Sequence, residues 1–309
     1  MVDRFKQVRR VFALMCLILI GCQDQPPAKP VNAGRALLCQ GIIVATASRF
    51  ITEKNEEPFE QFDFIAMFPK YPEDQQQEVD ALLETHVPRA DLAMDTCSVP
   101  EPQFHDNATD DNSVSISLVD AGDMFLQMGA GKVPIPTRTF PDLLKVIDGV
   151  IYAASPNHGI EFIPGQTYTL TNAGTDNIGS FEVVLEAPND LGEVTLNGVS
   201  PADAVPSIIA GKGSTIRWEG EGYGDEVIAD IHWSDMGLSW SMGCRMKDDG
   251  QFTIPGEITK QMTSELTDQT YEMRLSRVRQ VSFAAPFIAF GDFSFVASTS
   301  FLVEFDKID

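Results

Sequence analysis

Apolar residues fall at every second position over most of this chain, a spacing that predicts strands. Between residues 113 and 309 the sets Val114/Ile116/Leu118, Phe181/Val183/Leu185, Ile216/Trp218, Val227/Ala229/Ile231/Trp233 and Leu238/Trp240/Met242 each keep that period. The final run, Phe293/Phe295/Ala297/Thr299/Phe301/Val303/Phe305, keeps it longest. Turn residues interrupt these runs at short spacing, as in a sandwich or barrel. Upstream, segment 37–47 is apolar on both phases, with Leu37, Cys39, Ile43, Ala45 and Ala47 on one and Leu38, Ile42 and Val44 on the other. A strand buried on both faces is expected there. Phe62, Phe64, Ala66 and Phe68 form the next alternating set. Helical spacing occurs twice: at Val79, Leu82, Leu83 and His86 behind an acidic first turn, and at Ile258, Met262 and Leu266 after Pro255. Asp249-Gly250, between Met246 and Phe252, predicts a hairpin.

These elements divide the chain. Residues 35–112 are expected to form a small α+β region with one helix, ending in the polar stretch Glu101 to Asn112. Residues 113–309 are expected to form an immunoglobulin-like β-sandwich, so the fold class is mainly β. Residues 22–34 contain Pro26, Pro27 and Pro30 and few apolar groups, and read as a flexible tether.

The first 21 residues follow a different pattern. A basic start with Arg4, Lys6, Arg9 and Arg10 precedes the apolar run Val11 to Gly21, which ends in Leu19-Ile20-Gly21-Cys22. That run is well short of the roughly 20 apolar residues a spanning helix needs. The segment resembles a bacterial lipoprotein signal peptide, residues 1–21, with a lipobox. The resemblance implies lipidation at Cys22 and a palmitate-type acyl anchor that holds the protein to a membrane without spanning it. Gln23 after the lipidated cysteine, where an aspartate would retain the protein at the inner membrane, implies an outer-membrane lipoprotein of the cell envelope.

Charge narrows the partners. The 309 residues carry 45 Asp and Glu against 22 Lys and Arg, a formal net charge of −23. Such a surface disfavours nucleic acid and anionic lipid, and favours solubility, divalent cations or cationic partners. Export permits disulfides, and three cysteines remain besides Cys16 and Cys22. Cys244 lies on the apolar phase of Leu238 to Met246, which predicts a buried thiol. By elimination Cys39 and Cys97 are expected to pair.

Asp120-Ala121-Gly122, Phe162-Ile-Pro-Gly165-Gln-Thr-Tyr168, Ile178-Gly-Ser-Phe181, Ile216-Arg-Trp218 and Cys244-Arg-Met-Lys-Asp-Asp-Gly-Gln-Phe252 make residues 113–309 resemble a β-rich module of secreted proteins and lipoproteins from myxobacteria-like bacteria. The resemblance implies a β fold and a surface location, and carries no activity.

Catalytic patterns are weak. Asp230, His232 and Ser234 share one strand face, but same-face neighbours stand about 6.6–6.8 Å apart and point in parallel, too far for nucleophile and base. His86, His105, His158 and His232 are dispersed, without metal-ligand spacing. Calcium is a weaker exclusion, because Asp106 and Asp110 in one loop and Asp248 and Asp249 in another supply hard oxygen ligands without an EF-hand pattern. Gly211-Lys212-Gly213-Ser214-Thr215 lacks the order of a phosphate loop and reads as a turn. Arg274, Arg277 and Arg279 form a basic cluster whose field the protein's own carboxylates should neutralise, and Trp218, Trp233 and Trp240 lie on apolar phases that favour core packing. The expected protein is therefore a lipid-anchored envelope protein, binding or structural, with no catalytic residue and no cofactor beyond a structural calcium. Its partners would be the membrane and a protein or glycan. Two alternatives stay open: a carbohydrate-binding surface module, and a hydrolase whose site assembles from distant residues such as paired acids in a groove.

Overall fold

Long alternating runs become long strands. A computed structural model describes residues 37–51, 59–76, 79, 92–99, 116–140, 147–222, 225–235, 238–263 and 270–306. The run ending at Phe305 is β19 (Ile288–Asp306), and it pairs antiparallel with β18 (Thr270–Ala285) along nearly its whole length. Its other edge takes β1 (Leu37–Phe50) in parallel, from Gln40 opposite Phe290 to Phe50 opposite Ser300. This pairing joins the two regions set apart at residue 112. They share one twelve-stranded sheet, and residues 36–309 form one compact unit.

From β19 the sheet extends both ways. On one side lie β18, β15 (Glu226–Asp235), β16 (Leu238–Lys247) and the short β4 (Thr96–Ser98). On the other, β1 pairs with β2 (Phe59–Met67) and, in the same register, with β3 (Pro69–Pro72). Beyond them come β5 (Ile116–Leu118), β9 (Ile147–Ala154) and β8 (Thr137–Phe140). β13 (Ser207–Ile209) continues past the end of β1 along the same edge of β19. Chain-adjacent hairpins such as β18–β19 thus meet sequence-distant strands, β1 against β19 above all.

Two small sheets cover one face of the large one. The four-stranded sheet contains β11 (Glu182–Glu186), β10 (Thr167–Asn172), β6 (Met124–Met128) and β7 (Gly131–Ile135). It closes a core rich in aromatics, including Phe62, Phe64, Phe68, Tyr168, Phe181, Phe293 and Phe295. The three-stranded sheet contains β12 (Thr195–Leu196), β14 (Ser214–Arg217) and β17 (Gln251–Ile254), and its core is aliphatic and methionine-rich, with Met242, Met246, Met262 and Met273. Pairing places Met273 opposite Phe301 and Val281 opposite Phe293, so both cores lie on one face of the β18–β19 ribbon. The mainly-β, face-to-face packing follows the alternation, with twelve, four and three strands where an immunoglobulin domain divides seven to nine between two sheets.

The reverse face of the large sheet carries a third cluster around Ile42, Val44, Tyr71, Val79, Ile116, Ile228 and Val296, which is why β1 is apolar on both phases. The helix expected from Pro72 to His86 begins with a 3₁₀ turn at Glu73–Gln75, and apart from Gln76 and the fully buried Val79 its remainder lies outside the described residues. The second expected helix is α1 (Gly256–Thr263), directly after Pro255, with Met262 turned into the core.

Two turns merit comparison. Gly250 adopts φ 91°, as the Asp249-Gly250 signal requires, yet β16 and β17 do not pair. The expected hairpin is a crossing from the large sheet to the three-stranded one, where β17 pairs with β14. A turn signal fixes the backbone bend and leaves the partner open. At the other, Pro286-Phe287 links Ala285 to Ile288, and Phe287 has φ 71° and is 71% exposed. Glycine or asparagine suits that position, and a bulky residue there costs about 1–2 kcal/mol.

Cysteine pairing also differs. Cys97 and Cys244 are direct partners in the β4–β16 ladder and form the disulfide. Cys39 is a free, buried thiol in β1, and burial raises its pKa. The expected Cys39–Cys97 bridge is therefore corrected. Burial of Cys244 was the right inference from its apolar phase, but a half-cystine is as apolar as a thiol.

Candidate functional site

Two small residues open a space between the cores. Along one row of the large sheet, Arg277 on β18 lies opposite Ala297 on β19, Ala297 is beside Ala47 on β1, and Ala47 is opposite Phe62 on β2. The alanines form the floor of a cleft of about 260 Å³ at the seam of the two small sheets. Its walls include Phe62 and Phe162, and Ile160 and Leu191 add apolar surface. Arg49 and Thr299, paired in the next row, supply polar groups, and Glu161 and Asp190 add carboxylates. The volume lies just below the roughly 300–1,000 Å³ usual for drug-sized ligands, so its occupant would be small.

Beside the cleft lies a knot of buried charge. Arg277 is fully buried, and its Nε stands 2.8 Å from Oδ2 of Asp248, itself buried. Nη2 donates to Oδ1 of Asp248 at 3.0 Å and to the Glu219 carbonyl, while Nη1 donates to the carbonyls of Asn189 at 3.1 Å and Asp190 at 2.5 Å. Trp218 Nε1 donates to the same Oδ1 of Asp248 at 2.7 Å, and the Glu221 amide to Oδ2 at 3.3 Å. A buried ion pair holds only when the surrounding polar groups are satisfied, and here nearly all are. One consequence reaches the cleft: Arg277 binds the backbone at Asn189 and Asp190, whose loop forms a wall.

Arg279 repeats the arrangement nearer the surface. Its Nε and Nη2 grip both oxygens of Asp225 at 2.8 and 2.6 Å, with Glu221 and Glu186 at 3.1 and 3.0 Å. The bidentate bond to Asp225 raises its pKa above the ordinary arginine value. Glu221, Asp225 and Asp248 bring carboxylate oxygens within 4.8 Å of one another, the spacing of a cation site. Guanidinium groups serve as the cations. Asp248, set out above as a calcium ligand, thus has Arg277 as its counter-ion, while exposed Asp249 accepts the Gln251 amide in its turn.

Arg49 differs from these. Of the described arginines that are not exposed, Arg245, Arg277 and Arg279 have carboxylate partners, with Arg245 on Glu226. Arg49 has none, and its buried Nε has no hydrogen-bond acceptor. It lines the cleft.

The remaining predicted residues fall elsewhere. Cys22, Asp106 and Asp110 lie outside the described residues, as do the side chains of His232, Ser234, Trp233 and Trp240. Arg274 makes a loose surface pair with Glu272 at 3.7 Å. Gly211 to Gly213 is a turn, as expected. His158 caps a 3₁₀ turn, its Nδ1 accepting the Ser155 amide at 3.0 Å. The Asp120-Ala121-Gly122 motif is structural: Tyr152 donates to Oδ1 of Asp120 at 2.6 Å and accepts the Ala121 amide at 2.8 Å. Burial, then the Asp120 carboxylate, pushes the Tyr152 pKa upward. Tyr168 similarly donates to the Glu161 carbonyl at 2.7 Å and accepts the Ile163 amide at 2.8 Å, fixing the loop that carries the aromatic wall of the cleft. No family model, curated protein or solved structure matches this chain.

Proposed function

We propose that this is a lipid-anchored cell-envelope protein of the outer membrane that binds a small anionic ligand without transforming it. The lipobox at Cys22 supports the anchor, and no helix among the described residues is long and apolar enough to cross a membrane. The observation that carries the binding function is Arg49, an unpaired guanidinium in a cleft with aromatic walls. In a chain of net charge −23, a half-buried arginine without a carboxylate is unusual, and a carboxylate-bearing ligand would supply one. Phe62, Phe162, Ile160 and Leu191 offer its apolar part a surface.

A hydrolase draws support from Glu161 and Asp190 lining the same cleft. Both are exposed, and Oδ1 of Asp190 accepts the Gly192 amide at 3.1 Å, a turn-forming role. Binding is the better reading. Two measurements test it together: Cys22→Ser should abolish lipid labelling and release the protein from membranes, and calorimetric titration with small carboxylates, amino acids and oligosaccharides should give heat with the carboxylates. Labelling of the Cys22→Ser chain would refute the anchor. Binding of oligosaccharides alone would favour the carbohydrate module, and turnover of any of them the hydrolase.

A further inference from the structure

The charges that line the cleft do not match a simple anion. Arg49 is its cation, and Thr299, opposite Arg49 in the β1–β19 ladder, is a buried residue whose hydroxyl makes no hydrogen bond among the described residues. Two donors therefore stand side by side on the sheet. The same space is lined by two carboxylates, Glu161 and Asp190, so a monocarboxylate held by Arg49 would face both, and a dicarboxylate would add a further negative charge. Neither acid is a loose surface group. Tyr168 donates to the Glu161 carbonyl at 2.7 Å and accepts the Ile163 amide at 2.8 Å, while Arg277 holds the carbonyls of Asn189 and Asp190 at 3.1 and 2.5 Å. Each loop is braced from within the fold, which offers its carboxylate at a set place and lowers the ordering cost of binding. Acceptors are left over as well. The Glu161 carboxylate has no partner among the described residues, and Asp190 commits only Oδ1, to the Gly192 amide at 3.1 Å.

We infer that the carboxylate taken by Arg49, on the binding function proposed above, belongs to an α-amino acid with an apolar side chain. Arg49 and Thr299 receive its carboxylate, Glu161 and Asp190 its ammonium, and the aromatic wall its side chain. Each charge in the cleft then has an opposite one within reach. An amino acid gathers its two charges on one carbon and leaves the rest apolar, which is the division the lining shows. The wall is itself well supported: the rings of Phe62 and Phe162 lie 5.8 Å apart, and Phe162 packs against Phe295 of the core at 6.4 Å. Size agrees. At roughly 30 Å³ per water, 260 Å³ is room for about nine waters, close to the count of non-hydrogen atoms in leucine.

Calorimetric titration of the full-length protein with matched pairs tests this directly. L-leucine is compared with 4-methylpentanoate and L-phenylalanine with 3-phenylpropanoate, the acids that lack only the ammonium, and succinate serves as a dicarboxylate. At least one amino acid should bind about ten-fold or more tightly than its acid, and succinate should be weaker still. Acids that bind as tightly as their amino acids, or succinate binding while both amino acids are silent, overturn the amino acid and leave a carboxylate ligand standing. Silence from all five removes both. The double variant Glu161→Gln/Asp190→Asn supplies a second readout, since both side chains are exposed and asparagine keeps the oxygen that accepts the Gly192 amide. It should weaken the amino acid by about ten-fold and leave the matching acid unchanged or tighter, so the preference for the ammonium disappears. Equal weakening of both members of a pair would mean that these carboxylates do not meet the ammonium, which also overturns the inference.

Discussion

Arg277 and Arg49 project from the same face of the twelve-stranded sheet, two strands apart, into opposite surroundings. Around Arg277 the protein has supplied a carboxylate, three backbone carbonyls and a tryptophan bonded to the same carboxylate. Around Arg49 it has supplied aromatic walls and an alanine floor, and no carboxylate within ion-pair distance among the described residues. The first set of contacts is completed by folding, and the second leaves donors that a ligand of the proposed kind would take. The difference separates an arginine that holds two sheets and a loop together from one that is available for binding.

The comparison breaks most readily at Arg277. Arg277→Met should cost about 3–5 kcal/mol in urea unfolding, because Asp248 is left charged and buried without its partner. The double variant Arg277→Met/Asp248→Leu should lose less than the single one, since the orphaned charge goes too. A single-variant loss under about 1 kcal/mol would show that water reaches Asp248 and that the knot is no buried ion pair. Loosening of the Asn189–Asp190 wall should accompany the loss, seen as faster amide exchange across that loop.

Arg279 sharpens the comparison, because it is partly exposed and shares its carboxylates with Arg277's neighbourhood. Arg279→Met should cost about 1–3 kcal/mol, within the range of charge-assisted hydrogen bonds. It should also create a new dependence. With one guanidinium gone, Glu221, Asp225 and Asp248 keep their 4.8 Å grouping and lose half their counter-charge, so millimolar calcium should raise the variant's Tm and leave the native protein's unchanged. Equal calcium responses in both proteins would mean that arginine does not stand in the place of a cation.

How much of this was readable in the chain depends on the range of the interaction. Alternation marked β1, β2, β15 and β19, because each strand's pattern reports its own two faces. It could not report which strands are neighbours. Cys97 and Cys244 are 147 residues apart and meet only because β4 pairs with β16, so elimination among three cysteines chose the wrong bridge. Asp249-Gly250 gave the bend and concealed the change of sheet, while Asn197-Gly198, a two-residue turn with φ 53° and 80° closing Leu196 onto Val199, passed unnoticed. The site left a fainter signal. Arg277 follows Met273 and Leu275 on an apolar phase and precedes Val281 and Phe283, and Arg49 follows Ile43, Ala45 and Ala47 on theirs. A cation on a buried phase announces a special environment. Whether that environment is saturated or open depends on loops 58 to 88 residues from Arg277 and on loops more distant still from Arg49.

Arg49 itself should give the smallest change in stability and the clearest change in binding. Arg49→Met keeps most of the side-chain volume, removes a buried nitrogen that has no acceptor, and orphans no carboxylate, so its effect on unfolding should stay within about 0.5 kcal/mol, with a slight gain the favoured sign. The same substitution should abolish the calorimetric response to small carboxylates. Loss of stability like that of Arg277→Met would instead mean that Arg49 holds the fold, and the contrast between the two arginines would disappear. Retained carboxylate binding would move the anion's recognition away from Arg49, and the cleft would lose the residue that distinguishes it from a gap between sheets.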